Sequence, residues 1–138
     1  MVSKLTEEFF KAYNGNDLQR LRQYVTADIV YIETATNRRI ENIEPYIAAN
    51  QSWKEAFPDL TGTVKNEIVS GDLITLEILW SGTHKGPLQS PKGPIPPTGK
   101  SIQVPAASWV KVRDGKYSEI RHYFDLLGML AQLGLAPG

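Results

Sequence analysis

Apolar residues recur at two periods along this chain, and the switch between them separates a helical first part from a strand-rich second part. Over residues 3–13, Leu5, Phe9 and Tyr13 fall on one stripe at helical spacing, with Glu7, Glu8 and Lys11 away from it. Asn14-Gly15-Asn16 breaks the pattern, and Asp17 reads as the N-cap of a second short helix bearing Leu18, Leu21 and Val25. The β-branched run at 29–34 predicts a short strand. A third helix is predicted over 43–57, with Ile43, Tyr46, Ile47, Asn50 and Phe57 near one face. Pro45 sits in its first turn, where a missing N–H is tolerated, and Pro58-Asp59 ends it.

From there the period is two. Strands are predicted at 60–70, 73–85, 101–112 and 117–124, with turns at Ser70-Gly71-Asp72 and Asp114-Gly115. A last amphipathic or buried helix over 126–133 ends at Gly134. Residues 86–100 fit neither period. They hold five of the nine prolines, which cannot donate to a central strand, so they form a long loop. Such a loop is an inert surface insertion, a pocket rim or a dimer contact. Helices followed by antiparallel strands, with no repeat and no linker, give one α+β domain over 1–138 with helices on one face of a sheet.

Composition narrows the function classes. Fifteen basic residues balance fifteen acidic ones, so no net charge favours nucleic acid or an anionic membrane. Arg38-Arg39 is the nearest approach to a basic patch and reads as a solvated turn. There is no cysteine, and histidine occurs only at His84 and His122, which excludes thiolate chemistry and a histidine-rich metal site. Neither a phosphate-cradling glycine loop nor a cluster of metal ligands is present, so no metal, nucleotide or flavin is expected. No run approaches a membrane span, and the N-terminus does not read as a signal peptide; the expected location is the cytoplasm.

The last hairpin locates a candidate pocket. If Asp114-Gly115 is a two-residue turn, simple counting pairs Val110 with Glu119, Ser108 with Arg121, Ala106 with Tyr123 and Val104 with Asp125. One face then carries Val104, Ala106, Ser108 and Val110 with Tyr117, Glu119, Arg121, Tyr123 and Asp125, a mixture suited to a ligand site. Trp109, Ile120, His122 and Phe124 fall on the other face; a one-residue bulge would exchange these assignments. Tyr31, Tyr46, Trp53 and Trp80 are core or cavity walls, and Asn50 is a polar pocket candidate on an apolar helix face. His84, at the start of the long loop, reads as a structural histidine or as part of the cavity mouth.

Several local phrases appear in a distinctive order. They are Phe57-Pro58-Asp59-Leu60, Gly82-Thr83-His84-Lys85-Gly86, Pro97-Thr98-Gly99-Lys100, Val112-Arg113-Asp114-Gly115-Lys116 and Tyr123-Phe124-Asp125-Leu126-Leu127-Gly128, continuing to Gln132-Leu133-Gly134. With the element order, they make the chain resemble the SnoaL-like polyketide cyclases of the nuclear-transport-factor-2-like superfamily. The resemblance implies a cone-shaped, curved antiparallel sheet wrapped around helices, a cystatin-like α+β barrel. It also implies cofactor-independent proton abstraction alpha to a carbonyl, followed by intramolecular aldol closure of a bulky apolar ketone or ester, or an isomerisation sharing the first step. Asp125 matches the family's acid/base aspartate, and an aspartate before a helix is equally a good N-cap. Arg121 would hold a substrate oxygen or form a surface ion pair, and Tyr123 would donate to an enolate or sit in the core.

The expected partner is a small hydrophobic ligand or substrate, and the resemblance implies a homodimer formed through the outer sheet face, where Trp109, Ile120 and Phe124 are candidates. The competing reading is a non-catalytic binder of a small hydrophobic ligand. Epoxide hydrolysis ranks lower because Glu119, Arg121 and Asp125 would all come from one strand.

Overall fold

The computed structural model describes residues 2–135. Helix α1 (Lys4–Asn14) starts at Ser3, whose side chain accepts from the Thr6 amide, and it buries Phe9, Phe10, Ala12 and Tyr13. The Glu67 carboxylate accepts from the Ser3 and Thr6 hydroxyls, which places a negative charge at the positive end of the helix. The second predicted helix is only a 3-10 turn at Leu18–Gln23, and Val25 already belongs to strand β1 (Val25–Glu33). The Arg38-Arg39 pair is not a plain turn: Arg38–Glu41 forms β2, which pairs antiparallel with β1.

Helix α2 (Ile43–Ala56) is followed by β3 (Thr61–Ser70), β4 (Leu73–Thr83), β5 (Ser101–Arg113), β6 (Lys116–Phe124) and the short α3 (Leu126–Gln132). One six-stranded sheet results, in the order β2-β1-β6-β5-β4-β3. Its β1–β6 junction is parallel, so the sheet is mixed rather than wholly antiparallel. Helix α1 packs on β3, α2 on β1 and α3 on β5, and the core lies between the helices and the inner sheet face. Packing there is close at Gly62, where a Cβ would lie 2.7 Å from the Trp80 ring and 2.8 Å from Phe10. No described helix is long and apolar enough to cross a membrane.

The hairpin register differs from simple counting. Arg113 does face Lys116, and Val112 faces Tyr117, but Lys111 faces Glu119, so Ser118 is an extra residue on β6. Beyond that bulge Val110 faces Ile120, Ser108 faces His122 and Ala106 faces Phe124. Because side chains alternate with period two, one inserted residue moves the rest of β6 to the opposite face. His122, Ile120 and Phe124 therefore point inward, which removes the latter two from any outer-face contact. Glu119, Arg121 and Tyr123 point outward. Trp109 (43% exposed) and Tyr123 (46% exposed) are the large aromatics on that outer face.

Asp125 is the N-cap of α3. Its carboxylate accepts from the Gly128 amide at 2.8 Å and is exposed. Gly128 makes room for it, since a Cβ at that position would lie 2.1 Å from the Asp125 carboxylate. Replacing Asp125 by Ala is expected to cost about 1 kcal/mol, the usual value of a lost cap, visible as a reduced urea midpoint with an unchanged slope.

The proline-rich segment is ordered and docked. The His84 amide bonds Lys100 O, the Gly99 amide bonds His84 O, Leu88 and Ile95 form a bridge, and the Gly86 amide bonds Ala56 O at the end of α2. His84 is fully buried, and its Nδ1 accepts from the Thr98 amide at 3.1 Å while its ring lies against Phe57. It fastens the base of the loop and does not line the inner cavity, so the structural alternative for this residue is the one realised.

Candidate functional site

An apolar cavity of about 80 Å³ lies between the helices and the inner face of the sheet. Of the sequence candidates, Tyr31, Asn50, Trp53, Trp80, Val104 and Ser108 line it. Ala106 is buried on the same sheet face without lining it. Asp125, Arg121, Tyr123 and Glu119 lie outside, because of the cap geometry and the bulge at Ser118. Arg121 and Lys111 instead form ion pairs with Glu119 on the outer face.

The cavity brings in residues that hairpin counting leaves out. The parallel β1–β6 register sets Glu33 beside His122, and the antiparallel ladders continue that row to Ser108 and Leu76. Glu33 is 1% exposed. Its Oε1 accepts from Thr36 at 2.6 Å and from Arg38 at 2.9 and 3.2 Å. Its Oε2 accepts from the Tyr31 hydroxyl at 2.7 Å and the Trp53 indole at 3.3 Å. Burial alone would raise this carboxyl, but the bonds from Thr36 and Tyr31 and the charge of Arg38 outweigh it, leaving it below the usual carboxylate range.

Imidazole, phenol and carboxylate form a directed chain. The Trp80 indole donates to His122 Nε2 at 3.1 Å. An indole N–H can only donate, so Nε2 is the unprotonated nitrogen and the ring proton resides on Nδ1. Nδ1 lies 3.0 Å from the Tyr31 oxygen and donates to it, while the Tyr31 hydroxyl donates onward to Glu33. The carboxylate thus fixes the tautomer of a histidine two bonds away, as the orienting acid does in a catalytic triad. Ser108, the cross-strand neighbour of His122, has no side-chain hydrogen bond among the described residues. Asn50 spends one N–H on Tyr46 O at 2.9 Å, which leaves its carbonyl and second N–H for a ligand.

Burial pushes the His122 imidazole down to about 4, only partly opposed by the charge of Glu33, so it is neutral at physiological pH. Burial raises the Tyr31 hydroxyl well above its ordinary value, with Glu33 adding to the effect. The imidazole has a consequence for stability. Between about pH 6.5 and pH 4 the unfolded chain takes up a proton at His122 that the folded chain refuses, so stability falls as pH falls across that window and is complete above it. Denaturant unfolding is expected to show a loss of about 2 kcal/mol from pH 7 to pH 5 from this group. His84, lowered by burial, adds in the same direction, so His122→Gln should flatten the slope without abolishing it.

The bulge was signalled in the sequence by two successive polar residues, Ser118 and Glu119, between Tyr117 and Ile120, where strict alternation allows one. Glu33 was signalled by its place on the Ile29–Tyr31–Glu33 alternation of β1.

Comparison with known proteins bears on the family and the fold. A family profile for SnoaL-like polyketide cyclase matches residues 2–133. Among solved structures, a proposed SnoaL-like polyketide cyclase from Jannaschia sp. CCS1 is 28% identical with a TM-score of 0.84, covering 98% of this chain and 92% of that one. IdmH, a proposed polyketide cyclase from Streptomyces antibioticus, is 28% identical with a TM-score of 0.79, covering 94% and 96%. TsrD from Streptomyces laurentii is 26% identical with a TM-score of 0.82, covering 98% and 99%. Comparison with curated protein sequences returns no match.

Proposed function

The chain belongs to the SnoaL-like polyketide cyclase family, and from that premise we propose that it is a cofactor-independent cyclase or isomerase with His122 as its carbon-acid base. The observation that carries this reading is the fixed tautomer: a neutral imidazole holds its unprotonated nitrogen in an apolar cavity, oriented through Tyr31 by a buried carboxylate.

The chemistry follows from that arrangement. A substrate carbonyl entering between Trp80 and His122 takes over the indole N–H and releases the Nε2 lone pair. Nε2 then removes a proton from the carbon alpha to that carbonyl, and the C–H electron pair moves into an enolate whose oxygen is held by the indole N–H. The positive charge arising on the ring is stabilised by the enolate and by Glu33 through Tyr31. The enolate carbon attacks a second carbonyl in the same molecule, forming the ring bond, and the new alkoxide takes the proton back from His122. Returning the proton to a different carbon gives isomerisation instead. The surrounding aromatic walls supply a dry, shaped space that orients the two reacting ends.

One observation favours a second reading. Nε2 is already bonded to Trp80, and its basicity is depressed by burial. A binder of small hydrophobic ligands, with no turnover, would have the same features. Deuterium uptake from heavy water into a panel of aromatic and alicyclic ketones separates the two. Accelerated exchange at the alpha carbon is the expected result; ligands that bind without faster exchange would leave the protein a binder.

A further inference from the structure

The inner cavity is too small for the molecules its chemistry suits. At about 80 Å³ it falls well below the roughly 300–1,000 Å³ of sites that enclose drug-sized ligands. A second, larger cleft of about 400 Å³ lies against it, between the proline-rich segment, α2 and α3. Trp53 and Met129 line both spaces and form the wall between them. The Met129 side chain is flexible and polarizable, the kind of partition that can yield to an apolar ligand. The outer cleft has an apolar floor that includes Leu88, Ile95, Leu126 and Leu130, and Arg38 is the one charged residue on its lining among the described residues.

Arg38 is half engaged. Its Nε and Nη2 both donate to Glu33 Oε1, at 3.2 and 2.9 Å, so one edge of the guanidinium is occupied. The Nη1 group, with the second N–H of Nη2 beside it, makes no hydrogen bond to any described residue, and the side chain is 40% exposed. That end-on edge is the fork that receives a carboxylate through two parallel bonds. Glu33 already balances one charge, which favours a single negative charge on the ligand over a doubly charged phosphate.

We propose that the outer cleft is the second compartment of one ligand site, and that Arg38 there receives the carboxylate of an elongated aromatic or polycyclic keto acid. Which end of the ligand enters the inner cavity rests on the catalytic reading above: the ketone lies inward beside His122 and the acid outward on Arg38. Acid recognition itself does not depend on turnover. The Glu33 carboxylate bonds Arg38 on the outer side and Tyr31 and Trp53 on the inner side, so one buried group ties the acid site to the imidazole.

The test uses the full chain and a biphenyl bearing an acetyl group at one end and a carboxylic acid at the other, para and para′, alongside its methyl ester. Calorimetric titration is expected to show the acid binding about tenfold more tightly than the ester, the size of one charge-assisted contact at a half-exposed site. That preference should shrink as ionic strength rises. Arg38→Gln should abolish it, acid and ester then binding alike, and Arg38→Lys should keep part of it. Should Arg38→Gln fail to fold, Leu130→Trp gives an independent arm. Filling the cleft should weaken both biphenyls at least tenfold and spare acetone, which is small enough for the inner space. Equal binding of acid and ester to the wild type, no binding of either, or a preference that survives Arg38→Gln overturns the proposal. Absence of deuterium exchange at the acetyl group while the acid preference persists would instead fail the catalytic reading alone.

Discussion

Replacing His122 by Gln is expected to reduce alpha-deuterium exchange into a bound ketone by about 10²–10⁴-fold, the range over which a positioned general base contributes. Glutamine retains a donor and an acceptor, so the bonds with Trp80 and Tyr31 can be partly reproduced while the base is lost. Asp125→Asn should leave exchange within about twofold, because that carboxylate is exposed and spent on the Gly128 amide. The contrast between the two variants is the decisive measurement. Exchange that survives His122→Gln but disappears in Asp125→Asn would return the base to the helix cap and overturn His122 as the base. The pH profile adds a separate readout. With the imidazole pushed down to about 4, exchange should be flat through neutrality and fall only in acid, as the ring becomes protonated.

Loss of the Glu33 carboxylate is expected to cost about 3 kcal/mol of stability and to disable exchange as well. Glu33→Ala strips acceptors from Thr36, Tyr31, Trp53 and Arg38 together. Buried donors left without partners cost about 1–3 kcal/mol each, and breaking a buried ion pair costs about 3–5 kcal/mol. The total stays toward the lower end because the Arg38 side chain, 40% exposed, can turn its charge to water. Urea unfolding measures the stability term. The catalytic term is isolated by a double-mutant cycle: Tyr31→Phe and Glu33→Ala should each impair exchange, and together should impair it little more than either alone. Additive losses would mean that the two residues do not act on His122 through one chain.

These expectations depend on pairings that were legible in the sequence to different degrees. The stripe of Leu5, Phe9 and Tyr13, the helix ending at Pro58-Asp59, and the alternation of β4 and β5 were all plain, since each is set by neighbours within a few positions. Alternation groups Val104, Ala106, Ser108 and Val110 on one face of β5, and that face is the buried one. Strand β2 was obscured because Arg38 and Arg39 mask its short alternation, and the 3-10 turn at Leu18–Gln23 was too brief to distinguish from a helix by spacing. The partners of the proline-rich segment were not legible, because what that segment does depends on where α2 ends and α3 lies.

By itself, then, the sequence carried a family resemblance in its ordered phrases, left Tyr31, Tyr46, Trp53 and Trp80 open as core or cavity walls, and determined the α+β class and the turn that closes the last hairpin. Local spacing carries that information, and turn chemistry and period need no distant partner. Tertiary structure alone decided which ionisable residues enter the cavity. One extra residue at Ser118 turned His122 inward and sent Glu119, Arg121 and Tyr123 outward, and the parallel β1–β6 junction set Glu33 beside it. The physical reason is the two-residue period of a strand: a shift of one position costs little locally, yet it reverses every side chain beyond it, and only packing against the rest of the fold selects the register.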